Sequence, residues 1–160
     1  MKSLIIALAL FISNAVFAQT AASNPTNIYA AGISFNQGAT PQIAGTALYA
    51  HSISDSGTYA FTVIDALPNT FHPFSVTTNI GAGVAQKVFT ISNVPVYVPT
   101  SAGISFNGSN TGWAWSTGAL ASFKLKGNWR LMPNVRVVKS SVSGGTGFQP
   151  IVGILFGWGQ

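Results

Sequence analysis

The chain has 160 residues, of which 48% are hydrophobic and 12% aromatic but only 6% charged, with seven Lys and Arg, two acids and no cysteine. Ordinary soluble domains carry about 25% charged residues, so this composition excludes a conventional water-facing surface, and its aromatic content excludes disorder, whose chains lack such residues. The absence of cysteine excludes disulfides and thiolate metal sites, and lipid is the solvent that fits what remains.

Residues 1–18 read as a cleaved signal peptide. Lys2 supplies the positive start, Leu4 to Ile12 the apolar run, and Val16-Phe17-Ala18 the small-residue cleavage pattern. The run is too short for a spanning helix, which needs roughly 20 apolar residues. Residues 19–160 are then one exported domain, and nothing in them approaches a transmembrane helix. The other structure that satisfies its backbone inside a bilayer is a closed barrel, whose signature is apolar/polar alternation over about ten residues between turn signals.

In chain order, eight segments read as strands: about 27–37, 43–54, 57–66, 74–91, 94–106, 113–126, 128–139 and 147–158. Turns at Asp55-Ser56-Gly57, Ser92-Asn93 and Gly127-Asn128 follow the even strands. Longer connections follow the odd ones, at Gly38 to Gln42, Leu67 to Pro73, Asn107 to Gly112 and Ser140 to Thr146. The alternation is plainest in 113–126, where Trp113, Trp115, Thr117, Ala119, Ala121, Phe123 and Leu125 share one parity and small or cationic residues the other. The fold class is therefore all-β, an eight-stranded antiparallel up-and-down transmembrane barrel. Pro99 and Pro133 fall inside proposed strands, where each removes a ladder bond, and are expected to mark bulges.

Aromatic residues at bilayer interfaces form two girdles. At the loop end the expected members are Phe35, Phe74, Phe106, Trp113, Trp115 and Phe148. At the turn end they are Tyr29, Tyr59, Phe61, Phe123, Trp129, Phe156 and Trp158. Lys87, Lys124, Arg130 and Arg136 take the inward parity. They are expected to hydrogen-bond to Asn79, Asn134, serines and backbone and so fill the interior, since about eight strands enclose a space just wide enough for side chains. The alternative is a narrow anion-favouring channel. Lys139 has the outward parity near the external rim, where it can meet lipopolysaccharide phosphates.

On these segments the chain resembles the small eight-stranded outer-membrane barrels of the OmpA and OmpX type. Its last strand, Gly153 to Gln160, is similar to the alternating aromatic C-terminal strand that the barrel-assembly machinery reads, although it ends on Gln160 rather than on an aromatic residue. The resemblance implies a bacterial outer-membrane location with both termini periplasmic. It also implies outer-membrane lipid, lipopolysaccharide and the assembly machinery as partners, and a structural or surface-interaction role.

Some barrels of this kind are lipid-modifying enzymes, so His51, Ser52, Ser54 and Asp55 are candidates for an activated serine. Their place at the turn end favours an interfacial histidine beside a hairpin turn, and no catalytic residue is assigned. Two histidines and two scattered acids offer no metal cluster, no cofactor is expected, and no basic run supports nucleic-acid binding. A secreted β-sandwich or fibre-forming adhesin subunit is the reading from a different class. One phrase, AGISFN, occurs at 31–36 and again at 102–107, a separation of 102 − 31 = 71 residues, and Thr46-Ala47-Leu48 is weakly similar to Gly118-Ala119-Leu120; a duplicated four-stranded half would produce this, and so would convergence of two outward strands on the same residue types.

Overall fold

The computed structural model describes residues 24–36, 42–68, 76–142 and 148–160. The proposed signal peptide, one of the two histidines (His72), the expected girdle member Phe74 and most of the connections expected at 38–42, 67–73 and 140–146 lie outside them. The described chain forms β1 (Asn27–Asn36), β2 (Gln42–Ser54), β3 (Thr58–Pro68), β4 (Val76–Ile91), β5 (Val94–Asn107), β6 (Asn110–Ala121), β7 (Phe123–Lys124), β8 (Trp129–Ser140) and β9 (Gln149–Gly159). The two-residue β7 continues β6 beyond Ser122, and both pair with β8. Together they make one wall strand, so the wall has the eight strands expected from the sequence.

Every neighbour is antiparallel and sequential, and β1 pairs with β9 from Ile28↔Gly159 to Asn36↔Ile151. That pairing closes the sheet on itself and removes both edges. A two-sheet sandwich is thereby excluded as the architecture. Following the register around the wall, the circuit runs from Asn36 through Ile151, Arg136 and Gly118 to Pro99, which lies opposite Gly118 in the register set by Tyr97↔Leu120 and Thr100↔Thr117, and on through Ala85, Tyr59 and Ser52 to Thr26. It returns 36 − 26 = 10 residues lower on the same strand, a stagger that tilts strands by roughly 35–45° in a barrel of this size.

The turn end carries three tight connections. Gly57 (φ 92°) and Gly127 (φ 65°) supply left-handed backbone, while Ser92 (φ 47°) and Asn93 (φ 68°) form a two-residue turn with both central φ values positive, the arrangement that matches strand twist. Among the described residues, the loop end departs from expectation at the connection between β5 and β6. The connection anticipated as a loop from Asn107 to Gly112 is a two-residue turn, with Asn107 paired to Asn110 and Gly108 at φ 59°. Glycine at the first central position permits this reversal, so β6 begins three residues earlier than its first tryptophan.

Neither proline makes a bulge. Around Pro99 the β5–β6 register is the same on both sides, Tyr97↔Leu120 and Thr100↔Thr117, with Val98 and Pro99 simply unpaired on that edge. Around Pro133 the β8–β9 register is also unbroken, while opposite it the wall lapses between Ala121 and Phe123, where β6 gives way to β7. A residue without an N–H omits a rung and needs no extra residue. Among the described residues the register shifts instead between Lys87 and Phe89 and between Ser52 and Ser54.

The two AGISFN copies occupy β1 and β5, four strands apart in either direction. Gly32 and Gly103 each pack so closely on the preceding strand that a Cβ would collide with a carbonyl oxygen, of Ile154 and of Ile80 respectively. Ile33 pairs with Ile154 and Ile104 with Ile80, and Ser34 and Ser105 are both fully buried. The similarity of Thr46-Ala47-Leu48 to Gly118-Ala119-Leu120 is not placed equivalently, because Leu48 faces Ala30 whereas Leu120 faces Tyr97.

Candidate functional site: the lumen and the outer rims

Strand alternation sorts the wall into two faces. The outward face is apolar and uncovered, with Ile33 54%, Ile43 61% and Val135 54% exposed. The inward face is largely buried and holds five of the eight charged side chains of the described residues, Asp65, Lys87, Lys124, Arg130 and Arg136. Such an inside-out distribution is the reverse of a soluble domain and is what a lipid-facing barrel presents.

The inward face is layered. Toward the loop end, Ala44, Leu67, Val138 and Ile151 form an apolar cluster. Beside it is a polar layer built on Arg136. Its Nη2 donates to Asp65 Oδ1 at 2.7 Å and its Nη1 to Asp65 Oδ2 at 3.1 Å; Nη2 also donates to Thr46 Oγ1 at 3.1 Å and Nε to Asn134 Oδ1 at 3.3 Å. Thr46 Oγ1 in turn donates to Asp65 Oδ1 at 2.7 Å. Thr46 and Asp65 are cross-strand partners on β2 and β3, whereas Arg136 stands on β8, three wall strands from β2. Its side chain therefore crosses the interior. Ser101 with Ser116 (2.8 Å) and Ser105 with Ser140 (2.6 Å) complete the layer. A void of about 10 Å³ adjoins buried Asn79, whose amide atoms have no partner among the described residues.

Toward the turn end the interior is apolar and aromatic. Ile28, Tyr59, Phe61, Val63, Tyr97, Met132 and Leu155 pack together around a cavity of about 40 Å³, with Tyr59 and Tyr97 edge to face at 5.7 Å. Tyr59 and Phe61, expected in the outer girdle, are thus inside, at 2% and 5% exposure. The physical reason is that β3 is apolar on both faces. Tyr59, Phe61, Val63 and Asp65 share a parity, and the need of Asp65 for Arg136 turns that whole parity inward.

Pro25 is buried beneath this cluster. Its carbonyl accepts from Tyr59 Oη at 2.8 Å, and Asn24 Oδ1 accepts from Tyr97 Oη at 3.5 Å. The segment before β1 therefore lies across the turn-end mouth. Around that mouth, Arg130 Nη1 donates to Ser122 Oγ at 3.2 Å, half-buried Lys124 pairs with Arg130 across β7 and β8, and the Lys87 side chain runs over Gly57.

On the outer face, Phe35, Phe106, Trp113, Trp115 and Phe148 stand at the loop end, and Tyr29, Trp129, Phe156 and Trp158 at the turn end. Tyr49 joins the lower group, its ring 5.0 Å from that of Tyr29. Phe123, though outward in parity, is buried against Val94 and Leu131. Lys139 lies at the loop end, with its Nζ 5.7 Å from the Trp113 ring and 5.1 Å from the Phe148 ring.

His51 is outward and its Nδ1 is 2.9 Å from Asn27 Oδ1, while Ser52 is on the opposite face and Ser54 is bonded to Ser56 at 2.7 Å. Adjacent strand residues point apart, so this histidine and serine do not meet. No cluster of His, Cys, Asp or Glu suited to a metal occurs among the described residues.

The parity rule placed Arg130 and Arg136 on the inward face, but the sequence reading missed Asp65 as the partner of Arg136. The available signal was that Asp65 shares its parity with three large apolar residues, which is intelligible only if that parity is interior.

The fold so defined is a closed eight-stranded transmembrane-type meander barrel. It superposes on the crystal structure of neisserial surface protein A (NspA) with a TM-score of 0.65 at 12% identity, covering 84% of this chain and 96% of that one. It also matches a de novo designed transmembrane β-barrel, with a TM-score of 0.50, 15% identity and 86% and 99% coverage. No protein-family model and no curated protein sequence matches the chain.

Proposed function

We propose that the protein is an integral barrel of a bacterial outer membrane, with a structural or surface-interaction role, no catalysis, and a lumen plugged by its own side chains. The observation that carries the plugged lumen is the Arg136 side chain spanning the interior to Asp65 and Thr46, above an aromatic layer packed around a cavity of about 40 Å³. Membrane residence is supported by the uncovered apolar outer wall and by the likeness to a barrel named as a surface protein. In the outer membrane the turn end, with both chain ends, faces the periplasm, following the short-turn side of such barrels.

A second reading draws on Lys87, Lys124 and Arg130 at one mouth: a narrow channel favouring anions. Planar-bilayer recording separates the two. The plugged barrel inserts without steady conductance, and steady anion-selective current from the wild-type protein overturns the plug. Membrane residence is tested independently by extraction of the protein with outer membranes and by a heat-dependent shift in gel mobility, neither of which a protein of the periplasm or medium shows.

A further inference from the structure

Lys139 is the one charged side chain on the outward face of the strands among the described residues. Asp65, Arg130 and Arg136 are buried inside, Lys87 and Lys124 have the inward parity, and Asp55 and Lys126 belong to turns. A lysine on the lipid face costs roughly 2–4 kcal/mol at mid-bilayer and about 0–1 near the interface, so its position carries information. It stands one residue before the end of β8, facing Trp115 across the β6–β8 ladder. Trp113 and Phe148 lie within cation–π range at 5.7 and 5.1 Å, and Trp115 and Phe148 meet edge to face at 5.8 Å. The rings hold the ammonium at one height on the wall and cover part of it with apolar surface. They neutralise none of its charge, and no carboxylate of the described residues lies against it.

From this geometry we infer a binding site for the phosphate of an outer-leaflet phosphorylated glycolipid, with Lys139 donating to the phosphate oxygens and Trp113, Trp115 and Phe148 lying along the acyl chains below. The inference rests on the outer-membrane reading, because only there does the loop-end rim meet such a lipid. An ammonium presented at a greasy wall, level with headgroups and without a carboxylate beside it, is complementary to a phosphate with chains attached. A free phosphate matches only the charge.

The test uses the full barrel folded in detergent and native mass spectrometry. Bisphosphorylated lipid A, enzymatically dephosphorylated lipid A and inorganic phosphate are the probes, with wild type, Lys139→Gln, Lys139→Arg and Lys126→Gln compared. The wild type is expected to retain bisphosphorylated lipid A about fivefold better than Lys139→Gln, the factor set by one lysine at an anionic surface. Lys139→Arg and Lys126→Gln should match wild type, dephosphorylated lipid should bind as weakly as lipid does to Lys139→Gln, and millimolar phosphate should not compete.

Equal retention by Lys139→Gln, equal binding of the dephosphorylated lipid, or displacement by free phosphate overturns the site. The heat-dependent gel shift is recorded for each sample. A variant that keeps the shift but loses the lipid supports the site, while a wild type without any shift overturns the membrane-barrel reading itself.

Discussion

Substitution of Asp65 by Asn removes one charge and almost no volume, and leaves Arg136 in place. Arg136 and Asp65 are 6% and 3% exposed in their side chains, and the carboxylate accepts from Nη1, from Nη2 and from Thr46 Oγ1. The amide that replaces this carboxylate can accept through one oxygen only, and its NH₂ would face either the guanidinium or the threonine. The guanidinium is then a buried charge without a counter-charge, a situation that costs roughly 3–5 kcal/mol where one partner of a buried pair is lost.

Replacing both partners together, Asp65→Leu with Arg136→Met, removes the uncompensated charge along with the pair. Such swaps are often neutral or stabilising by about 1–4 kcal/mol. Urea unfolding of the refolded protein in lipid vesicles, followed by fluorescence of Trp113, Trp115, Trp129 and Trp158, measures both. The reasoning is refuted if Asp65→Asn costs less than about 1 kcal/mol, or if the double replacement is less stable than Asp65→Asn, because either result means that water already solvates the pair in an open lumen.

Three further outcomes follow from other parts of the wall. Tyr59→Phe removes the donor to the Pro25 carbonyl and should lower stability by roughly 0.5–1.5 kcal/mol in the same unfolding assay, with faster proteolysis of the segment before β1; an unchanged cleavage rate would show that Pro25 is held by other contacts. Gly32→Ala and Gly103→Ala place a methyl against equivalent carbonyl oxygens and should each destabilise by about 1–3 kcal/mol, as overpacking does; a cost at only one position would break the equivalence of the two AGISFN walls. A circular permutant beginning at Asn93, with Gln160 joined to Asn24 by a short Gly/Ser linker, should still show the heat-dependent shift, because Asn27 and Gln160 already exchange backbone hydrogen bonds of 2.9 Å in both directions.

Much of this architecture is legible without coordinates because a barrel wall has a period of two and its turns have few chemistries. The even-strand turns at Asp55-Ser56-Gly57 and Ser92-Asn93, and the parity of Arg130 and Arg136, can be read in this way. Legibility fails where parity is ambiguous. β3 has apolar residues on both faces, so Tyr59 and Phe61 look as suited to lipid as to core, and only the three-dimensional meeting of Asp65 with Arg136 decides.

Turn lengths are similarly underdetermined. Asn107-Gly108-Ser109-Asn110 has the composition of a longer loop, and the positive φ of Gly108 is what shortens it. The prolines mislead for another reason. Pro99 and Pro133 are strand-incompatible when counted one strand at a time, yet a closed wall bonded on both sides tolerates one missing rung. The partnership of Lys139 with Trp113 and Phe148 depends on chain segments separated by 139 − 113 = 26 residues, which no local pattern reveals.

Closure between β1 and β9 underlies the tilt, the enclosed interior and the absence of edges, and it has a direct readout. NMR of the deuterated protein in detergent micelles, with protons retained at selected backbone positions, reports contacts across the β1–β9 seam. The paired residues Ala30 with Gly157 and Gly32 with Leu155 should give cross-strand Hα contacts as strong as those between β1 and β2, with slow amide exchange on both strands. Absence of those contacts with rapid exchange along β1 and β9, while the β1–β2 contacts persist, would mean an open sheet and would contradict the barrel.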